Sequence, residues 1–120
     1  MGTPSLYERV GGEPAILAAV ENLYERVLAD PALAPFFQNV QMETVKLHQR
    51  TFLAHVLGGP GQASAADIQR AHAKHAIGQR HFYAVSDHIV DALYSLGVDV
   101  DTIAEIITLL APLSRQIVNA

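Results

Sequence analysis

The stretch from Val45 to Gly59, VKLHQRTFLAHVLGG, has the spacing of an amphipathic helix but carries two polar side chains on its apolar side. His48 and Gln49 follow Val45 by three and four residues, so they share a helix face with it. A buried polar group without a hydrogen-bond partner costs about 1–3 kcal/mol. We therefore expect the interior that this helix faces to supply, or to bind, a partner for His48 and Gln49.

A second candidate is His72, in the segment ADIQRAHAKHA, which has few large apolar residues for a helix of its length. It lies four residues after Ile68 and so shares a helix face with it. Spacing alone leaves two interpretations open. The imidazole either bonds to a backbone carbonyl in a partly buried position, or it gives a ring nitrogen to the iron of a cofactor that fills the missing volume.

The other histidines have simpler interpretations. His75 follows His72 by three residues and can share a metal with it, but a structural zinc site needs four ligands and the chain has no cysteine. We expect His55 and His88 to be solvated at the surface. We expect His81 to cap or border the helix that it begins.

Tyr24 is a further polar group on an apolar stripe, seven residues after Leu17 in a predicted helix. It is either a core residue whose hydroxyl reaches a carbonyl, or a member of one set with His48 and Gln49. A hydroxyl and an amide can both donate hydrogen bonds to a diatomic ligand that carries partial negative charge. The three side chains together favour a pocket for such a ligand.

Helices must position these candidates, and the sequence predicts an all-α protein, because apolar residues recur at helical spacing and strand alternation does not persist. We predict a short helix capped by Ser5 and a long helix from about Pro14 to Asp30. A single turn at PALAPFF precedes a helix from Met42 to Leu57. The buried side of the long helix is predicted to comprise Ile16, Leu17, Val20, Leu23, Tyr24, Val27 and Leu28.

The second half of the chain is predicted to contain three helices. A loose loop over residues 58–63 leads to a helix over residues 66–76, capped by Ser64. An amphipathic helix follows Gly78, and Asp101 is predicted to cap the last helix, which Pro112 should bend. The inward-facing residues of these two helices are predicted to be Phe82, Val85, Ile89, Leu93, Leu96, Ile103, Ile106, Ile107, Leu110, Leu113 and Ile117.

The composition sets limits on function. The chain has 120 residues, which we expect to form one domain over residues 1–120, and a net charge of −4. The acidic balance argues against a nucleic acid partner, and the absence of cysteine excludes disulfides and iron–sulfur clusters. No secretory signal or membrane-spanning run is predicted, so we expect a cytoplasmic protein with no membrane partner.

Five segments of the chain resemble the truncated haemoglobins of group I: SLYERVGG, LYERVLADPALAPFF, HQRTFLAHVLGGP, RAHAKHAI and HFYAVSDHIVDALYSLGV. The resemblance extends from Ser5 to about Val118, with the order and spacing of that family. It implies a truncated globin fold, in which two helices pack over two around a non-covalently bound haem b. It also implies a reduced helix for the proximal iron ligand, preceded by a long loop.

By position, His72 resembles the proximal iron ligand of that family. Tyr24 and Gln49 resemble the residues that stabilise the bound ligand on the distal side. Phe37 resembles the phenylalanine that packs on the haem face, and Val45 occupies the distal position where many oxygen-carrying globins have histidine. Further haem contacts are expected from Phe52, Leu53, Ile77 and Phe82.

His48 has two roles open to it if the resemblance holds. It can bind the iron as a sixth ligand, as in some relatives, or it can lie at the pocket mouth and bond a haem propionate or water. Arg70 and Lys74 flank His72 and are candidate partners for the propionates. A covalent bond to haem through a histidine of the last helix is not expected, because no histidine follows His88.

The resemblance implies a haem protein that binds O2, NO and CO at ferrous iron. The first hypothesis is oxygen binding or transport coupled to nitric oxide detoxification, a nitric oxide dioxygenase activity that needs an external reductase. The alternative is a hexacoordinate haem protein for electron transfer or redox and ligand sensing, with His48 and His72 as axial ligands. A haem-free helical module is a third. We expect a monomer or a weak dimer.

Overall fold

The computed structural model describes residues 2–60 and 64–120, and it describes Ala65 by its backbone alone. The described residues contain no strand, which confirms the all-α prediction. Their helices are α1 (Leu6–Val10), α2 (Gly12–Leu28), α3 (Met42–Val56), α4 (Ala65–His72), α5 (Gln79–Ser95), α6 (Val100–Leu110) and α7 (Ser114–Ile117). Short 3-10 helices at Ala34–Phe37 and Ala111–Leu113 precede α3 and α7. The loop predicted over residues 58–63 lies partly outside the described residues.

The helices form two layers. α2 packs against α3, α5 packs against α6, and the contact between α2 and α5 joins the two pairs. α1 packs on α2 and α6, and α4 packs against α7. The apolar faces of the four long helices meet in one core, which includes Ile16, Val20, Leu23, Val27, Leu53, Leu57, Leu93, Ile103, Ile106 and Leu110.

The predicted start of α1 is confirmed. The Ser5 hydroxyl accepts the Glu8 N–H at 3.1 Å, and α1 ends at Gly11, whose φ of 118° is available to glycine at little cost. Gly59 contributes differently, because a Cβ there would lie 2.5 Å from the Tyr7 ring. This close approach, with a Tyr7 N–H bond to the Leu57 carbonyl at 2.9 Å, fixes α1 against the end of α3.

α4 begins where the sequence predicts and ends earlier. The Ser64 hydroxyl accepts the Asp67 N–H at 3.1 Å, which confirms the cap. The helix stops at His72 instead of continuing to residue 76. The reason is that the His72 carbonyl accepts the His75 N–H at 3.1 Å and the Asn119 side chain at 2.9 Å, so the i to i+4 ladder is interrupted.

The start of the last long helix differs from its prediction. Asp99, and not Asp101, caps α6, because Asp99 has an extended backbone and its carboxylate accepts the Thr102 N–H at 3.0 Å. Thr102 is only 1% exposed. Its hydroxyl donates to Asp99 at 2.7 Å and accepts from Arg9 at 2.9 Å, so this buried polar group is satisfied on both sides.

Three predicted core leucines are exposed. Leu17, Leu28 and Leu96 are 41%, 43% and 42% exposed. Leu17 and Leu28 lie at the margin of the α2 stripe, which is narrower than predicted, and Leu96 follows the end of α5. At Pro112, where a bend in one last helix was predicted, the 3-10 helix Ala111–Leu113 instead separates α6 from α7.

The prediction that His88 is solvated was wrong. Its Nε2 lies 2.8 Å from an Asp30 carboxylate oxygen, and both side chains are 22% exposed. The sequence neighbours Asp87 and Asp91 suggested a polar surface, but the turn after α2 brings Asp30 to the half-buried side of α5. Within residues 2–60 and 64–120, no helix combines the length and apolar character needed to cross a membrane.

Candidate functional site

A cavity of about 380 Å³ lies among α2, α3, α4 and α5, closed at one side by the segment around α7. Its volume is in the range typical of cofactor and small-molecule sites, about 300–1,000 Å³. Most of its wall is aliphatic or aromatic, and the polar side chains on it are few. Such a cavity favours a large apolar ligand that is oriented by a small number of polar contacts.

His72 reaches the cavity as the last residue of α4. Its ring Nδ1 lies 2.6 Å from the Ile68 carbonyl oxygen, one helical turn earlier. A carbonyl can only accept, so Nδ1 carries a proton, and in the neutral imidazole Nε2 then keeps its lone pair. An imidazole whose other nitrogen bonds a carbonyl is the usual arrangement of a metal-binding histidine. The two interpretations that the sequence left open are therefore compatible: His72 can bond a backbone carbonyl through Nδ1 and still offer Nε2 to the iron of a cofactor.

Tyr24 lines the cavity from α2 and is only 7% exposed. Burial raises the pKa of its phenol to about 12, so the hydroxyl is a neutral donor at physiological pH. Its ring packs edge to face on Phe37, with centroids 5.7 Å apart. The hydroxyl has no hydrogen-bond partner among the residues that the structure describes, so a ligand in the cavity can take this role.

Consecutive residues of α3 supply the next polar groups. His48 and Gln49 both line the cavity, with Gln49 half-buried and His48 exposed. Over residues 2–60 and 64–120, neither side chain bonds to another protein group. As the sequence predicts, Tyr24, His48 and Gln49 lie on the wall of one cavity.

The remaining predicted contacts divide into two groups. The residues that line the cavity are Phe37, Val45, Phe52, Ile77 and Phe82. Leu53 does not line it. That residue is buried in the core beside a much smaller cavity among α2, α3, α5 and α6, because it follows Phe52 by one residue and so faces a different side of α3.

Three further residues, Phe36, His75 and His81, line the cavity, although their positions in the sequence did not predict this. The His81 ring packs edge to face on Phe36 with centroids 4.9 Å apart, and the His75 ring does so at 6.2 Å. His81 Nδ1 also accepts the Gly78 N–H at 2.9 Å, which confirms its predicted role at the helix start. The glycine three residues before His81 was the signal for that role, but nothing local indicated the cavity.

The candidate propionate partners do not reach the cavity wall. Arg70 forms an ion pair with Asp67 on the exposed side of α4, and Lys74 is exposed. Within the described part of the chain there is no group of three or more His, Asp or Glu side chains arranged to hold a metal ion. His72 and His75 therefore have no third protein ligand there, and a metal bound by His72 would need most of its ligands from a cofactor.

These observations together fit a haem. The cavity is apolar and of cofactor size, one imidazole enters from α4 with Nε2 available, and unpartnered donors enter from α2 and α3. An iron porphyrin supplies four metal ligands of its own and needs only one from the protein. The fold and the site thus define the class of small helical haem proteins.

The sequence profile of the family described as Bacterial-like globin matches residues 5–119. The chain therefore belongs to the bacterial-like globin family, whose members bind haem and bind diatomic ligands at it. Its similarity to the group I truncated haemoglobins is confirmed by several relatives.

The relatives share most of the chain. The group 1 truncated haemoglobin GlbN of Mycolicibacterium paratuberculosis is 41% identical over 113 residues, which cover 94% of this chain and 83% of that protein. GlbN of Synechocystis sp. is 36% identical over 106 residues, which cover 85% of this chain and 86% of that protein.

Solved structures confirm the two-over-two globin fold. The Fe(III) form of the truncated haemoglobin of Tetrahymena pyriformis has a TM-score of 0.91 and 31% identity, covering 98% of this chain and 100% of that one. The 2/2 haemoglobin of Synechococcus sp., in the cyanomet state and with covalently attached haem, has a TM-score of 0.90 and 32% identity over the same shares.

Proposed function

We propose that this chain binds haem b with His72 Nε2 as the proximal iron ligand, and that the ferrous form binds oxygen and other diatomic molecules. When bound, the haem supplies the ligand binding and the electron transfer. One observation carries the proposal. In an apolar cavity, the carbonyl of Ile68 occupies His72 Nδ1 and leaves Nε2 available, and the Tyr24 hydroxyl has no partner among the described residues.

Non-covalent retention is part of this proposal. The Synechococcus protein has covalently attached haem, but here no histidine follows His88 and no cysteine exists to form a thioether. The aromatic rings of Phe36, Phe37 and Phe82 line the cavity and can pack on the macrocycle. Retention then rests on the His72 bond together with burial of the porphyrin.

On the distal side, the chain contributes two donors. The buried Tyr24 hydroxyl stays protonated because its pKa is about 12, and the Gln49 amide can donate beside it. Hydrogen bonds from both to the partly negative end of a diatomic ligand slow the loss of that ligand. Slow loss suits chemistry on the ligand better than transport that depends on rapid release.

We therefore propose nitric oxide detoxification as the leading activity. The conversion of one nitric oxide and one oxygen to nitrate consumes one electron, so an external reductase must supply one electron for each turnover. With haem bound, Tyr24 and Gln49 would hold a diatomic ligand by hydrogen bonds, and the largely apolar wall of the cavity would limit the access of water. The reductase is a required partner in this account.

A second candidate function is supported by His48. Its exposed ring lines the same cavity and bonds to no other described residue, so it can turn toward the iron. A pair of histidine ligands would favour electron transfer or redox sensing, because an external ligand would first have to displace His48.

The visible absorption spectrum of the reduced, ligand-free protein tests the proposal and separates the two candidates. One broad band indicates an open site and supports ligand binding, and two sharp bands indicate two axial histidines. Addition of carbon monoxide should convert either spectrum to that of a ligand complex. A folded protein that stays colourless after addition of haemin contradicts both.

A further inference from the structure

The helix that carries His72 has little support of its own. α4 spans only Ala65–His72, and its main contact among the helices is with α7. The carbonyl groups in the last turn of a helix have no partners inside the helix. His72 is the last residue of α4, so its position depends on what binds its carbonyl and on what holds the segment after it.

The side chain of Asn119 bonds to the His72 carbonyl and also to the segment that follows His72. Its Nδ2 donates to the His72 carbonyl at 2.9 Å. Its Oδ1 accepts the Ile77 N–H at 2.9 Å, an N–H that the His75 carbonyl also accepts at 3.0 Å. One planar amide thereby joins the two ends of the segment 73–76.

The backbone strengthens the same contact. The Ile77 carbonyl accepts the Asn119 N–H at 2.9 Å and the Ala120 N–H at 3.1 Å. Asn119 therefore makes three hydrogen bonds to a segment more than forty residues earlier in the chain, and Ala120 adds a fourth. Ile77 lines the cavity, as does Ile117, which precedes Asn119 by two residues.

We propose that Asn119 is a positioning residue for the proximal histidine. Its amide fixes the His72 carbonyl, while the Ile68 carbonyl fixes the His72 ring, so that backbone and ring are both oriented before the cofactor enters. This inference rests on the proposed role of His72 as the iron ligand. Asparagine suits the task because its side chain has a donor and an acceptor on one plane. Leucine has neither group, and aspartate lacks the donor.

The test uses Asn119→Leu, Asn119→Asp and the control Gln116→Leu. Gln116 lies in the same terminal segment, in α7, and its side-chain amide bonds to no other described residue. Three quantities are measured: hydrogen exchange of the Ile77 amide in the haem-free protein, the Fe–His stretching frequency of the ferrous ligand-free protein, and the rate of haem transfer to an acceptor globin.

We expect Asn119→Leu to speed Ile77 amide exchange by about tenfold or more, since a tenfold change corresponds to only about 1.4 kcal/mol. It should also shift or broaden the Fe–His band and speed haem transfer by about fivefold. Asn119→Asp keeps the acceptor for Ile77, so it should protect that amide better than Asn119→Leu while still altering the Fe–His band. Gln116→Leu should leave all three quantities unchanged.

The outcomes separate this inference from the proposed function. If Asn119→Leu speeds amide exchange but leaves the Fe–His band and haem transfer as in the wild type, Asn119 only anchors the chain end and the inference is overturned. If the wild-type protein shows an Fe–His band that His72→Gly leaves unchanged, the proposed role of His72 as the iron ligand fails first. In that case the exchange data still report whether the amide contact exists.

Discussion

The Tyr24 and Phe37 rings pack at an interplanar angle of 80° with centroids 5.7 Å apart. This contact fixes the plane of the tyrosine ring, since an edge-to-face pair has a preferred orientation. The hydroxyl is thus held at a set position on the cavity wall, where no described residue accepts its proton. A donor that is fixed before the ligand arrives needs little reorganisation to bind it.

Tyr24→Phe should therefore speed oxygen dissociation by about tenfold or more, because one lost hydrogen bond to a partly charged acceptor is worth about 1.5–3 kcal/mol. The measurement is stopped-flow displacement of oxygen by carbon monoxide. Tyr83→Phe is the matched control, because Tyr83 is exposed on α5 and lies outside the cavity. An unchanged dissociation rate in Tyr24→Phe would remove this residue from ligand stabilisation.

Substitution of His48 distinguishes the two candidate functions. With His48 at the cavity mouth, as its exposure indicates, His48→Leu should keep one broad visible band and change the carbon monoxide association rate by less than about threefold. The control is His55→Leu, which removes an exposed histidine of the same helix that does not line the cavity. Conversion from two sharp bands to one on His48→Leu would favour the hexacoordinate protein.

The buried hydroxyl of Thr102 should matter for stability. Thr102→Val leaves the Arg9 guanidinium and the Asp99 carboxylate without this partner, so the free energy of unfolding should fall by about 1–3 kcal/mol. Thr108→Val on the exposed side of the same helix should change it by less than about 0.5 kcal/mol. Urea denaturation followed by circular dichroism measures both, and equal effects would show that burial at Thr102 is not the cause.

The pair of Asp30 and His88 predicts a pH dependence. The hydrogen bond from His88, followed by that from the Ala32 N–H, holds the pKa of the Asp30 carboxyl below its ordinary value of 3.8. A lowered folded-state pKa gives stability that is present above the ordinary value and is lost as the pH falls through the folded-state value. The urea midpoint of the wild type should thus exceed that of Asp30→Asn at neutral pH.

This difference should shrink as the pH is lowered below about 4, where the carboxylate becomes protonated. Asp91→Asn, on the exposed side of α5, is measured in parallel as the control, because acid protonates other carboxylates in every variant. A difference in urea midpoint between wild type and Asp30→Asn that is constant from pH 7 to pH 3 would show that ionisation of Asp30 does not contribute.

The parts of the fold that depend on local spacing were predictable from the sequence. Ser5 and Ser64 were identified as caps, because the acceptor and the N–H that it binds lie three residues apart. The prediction that Asp101 caps α6 was wrong, because Asp99, two residues earlier, has the extended backbone that brings its carboxylate to the Thr102 N–H. The all-α class of the protein follows from the spacing of its apolar residues. The exact ends of its helices depend on the capping hydrogen bonds and the backbone angles of single residues.

Features that join distant segments were not predictable. The contact of His88 with Asp30 spans 58 residues, and that of Asn119 with His72 spans 47. Neither leaves a trace in local spacing. Leu53 is a different case, because local spacing did bear on it: it follows Phe52 by one residue, so the two side chains lie on different sides of α3 and only Phe52 lines the larger cavity.

The central claim is that the His72 imidazole is the axial ligand of a haem iron, and His72→Gly tests it most directly. The Fe–His stretching band of the reduced protein should disappear in this variant and return when imidazole is added, since free imidazole can enter the space left by the side chain. Restoration by imidazole also shows that the fold is intact. Retention of haem with an unchanged Fe–His band in His72→Gly, without imidazole, would contradict the account.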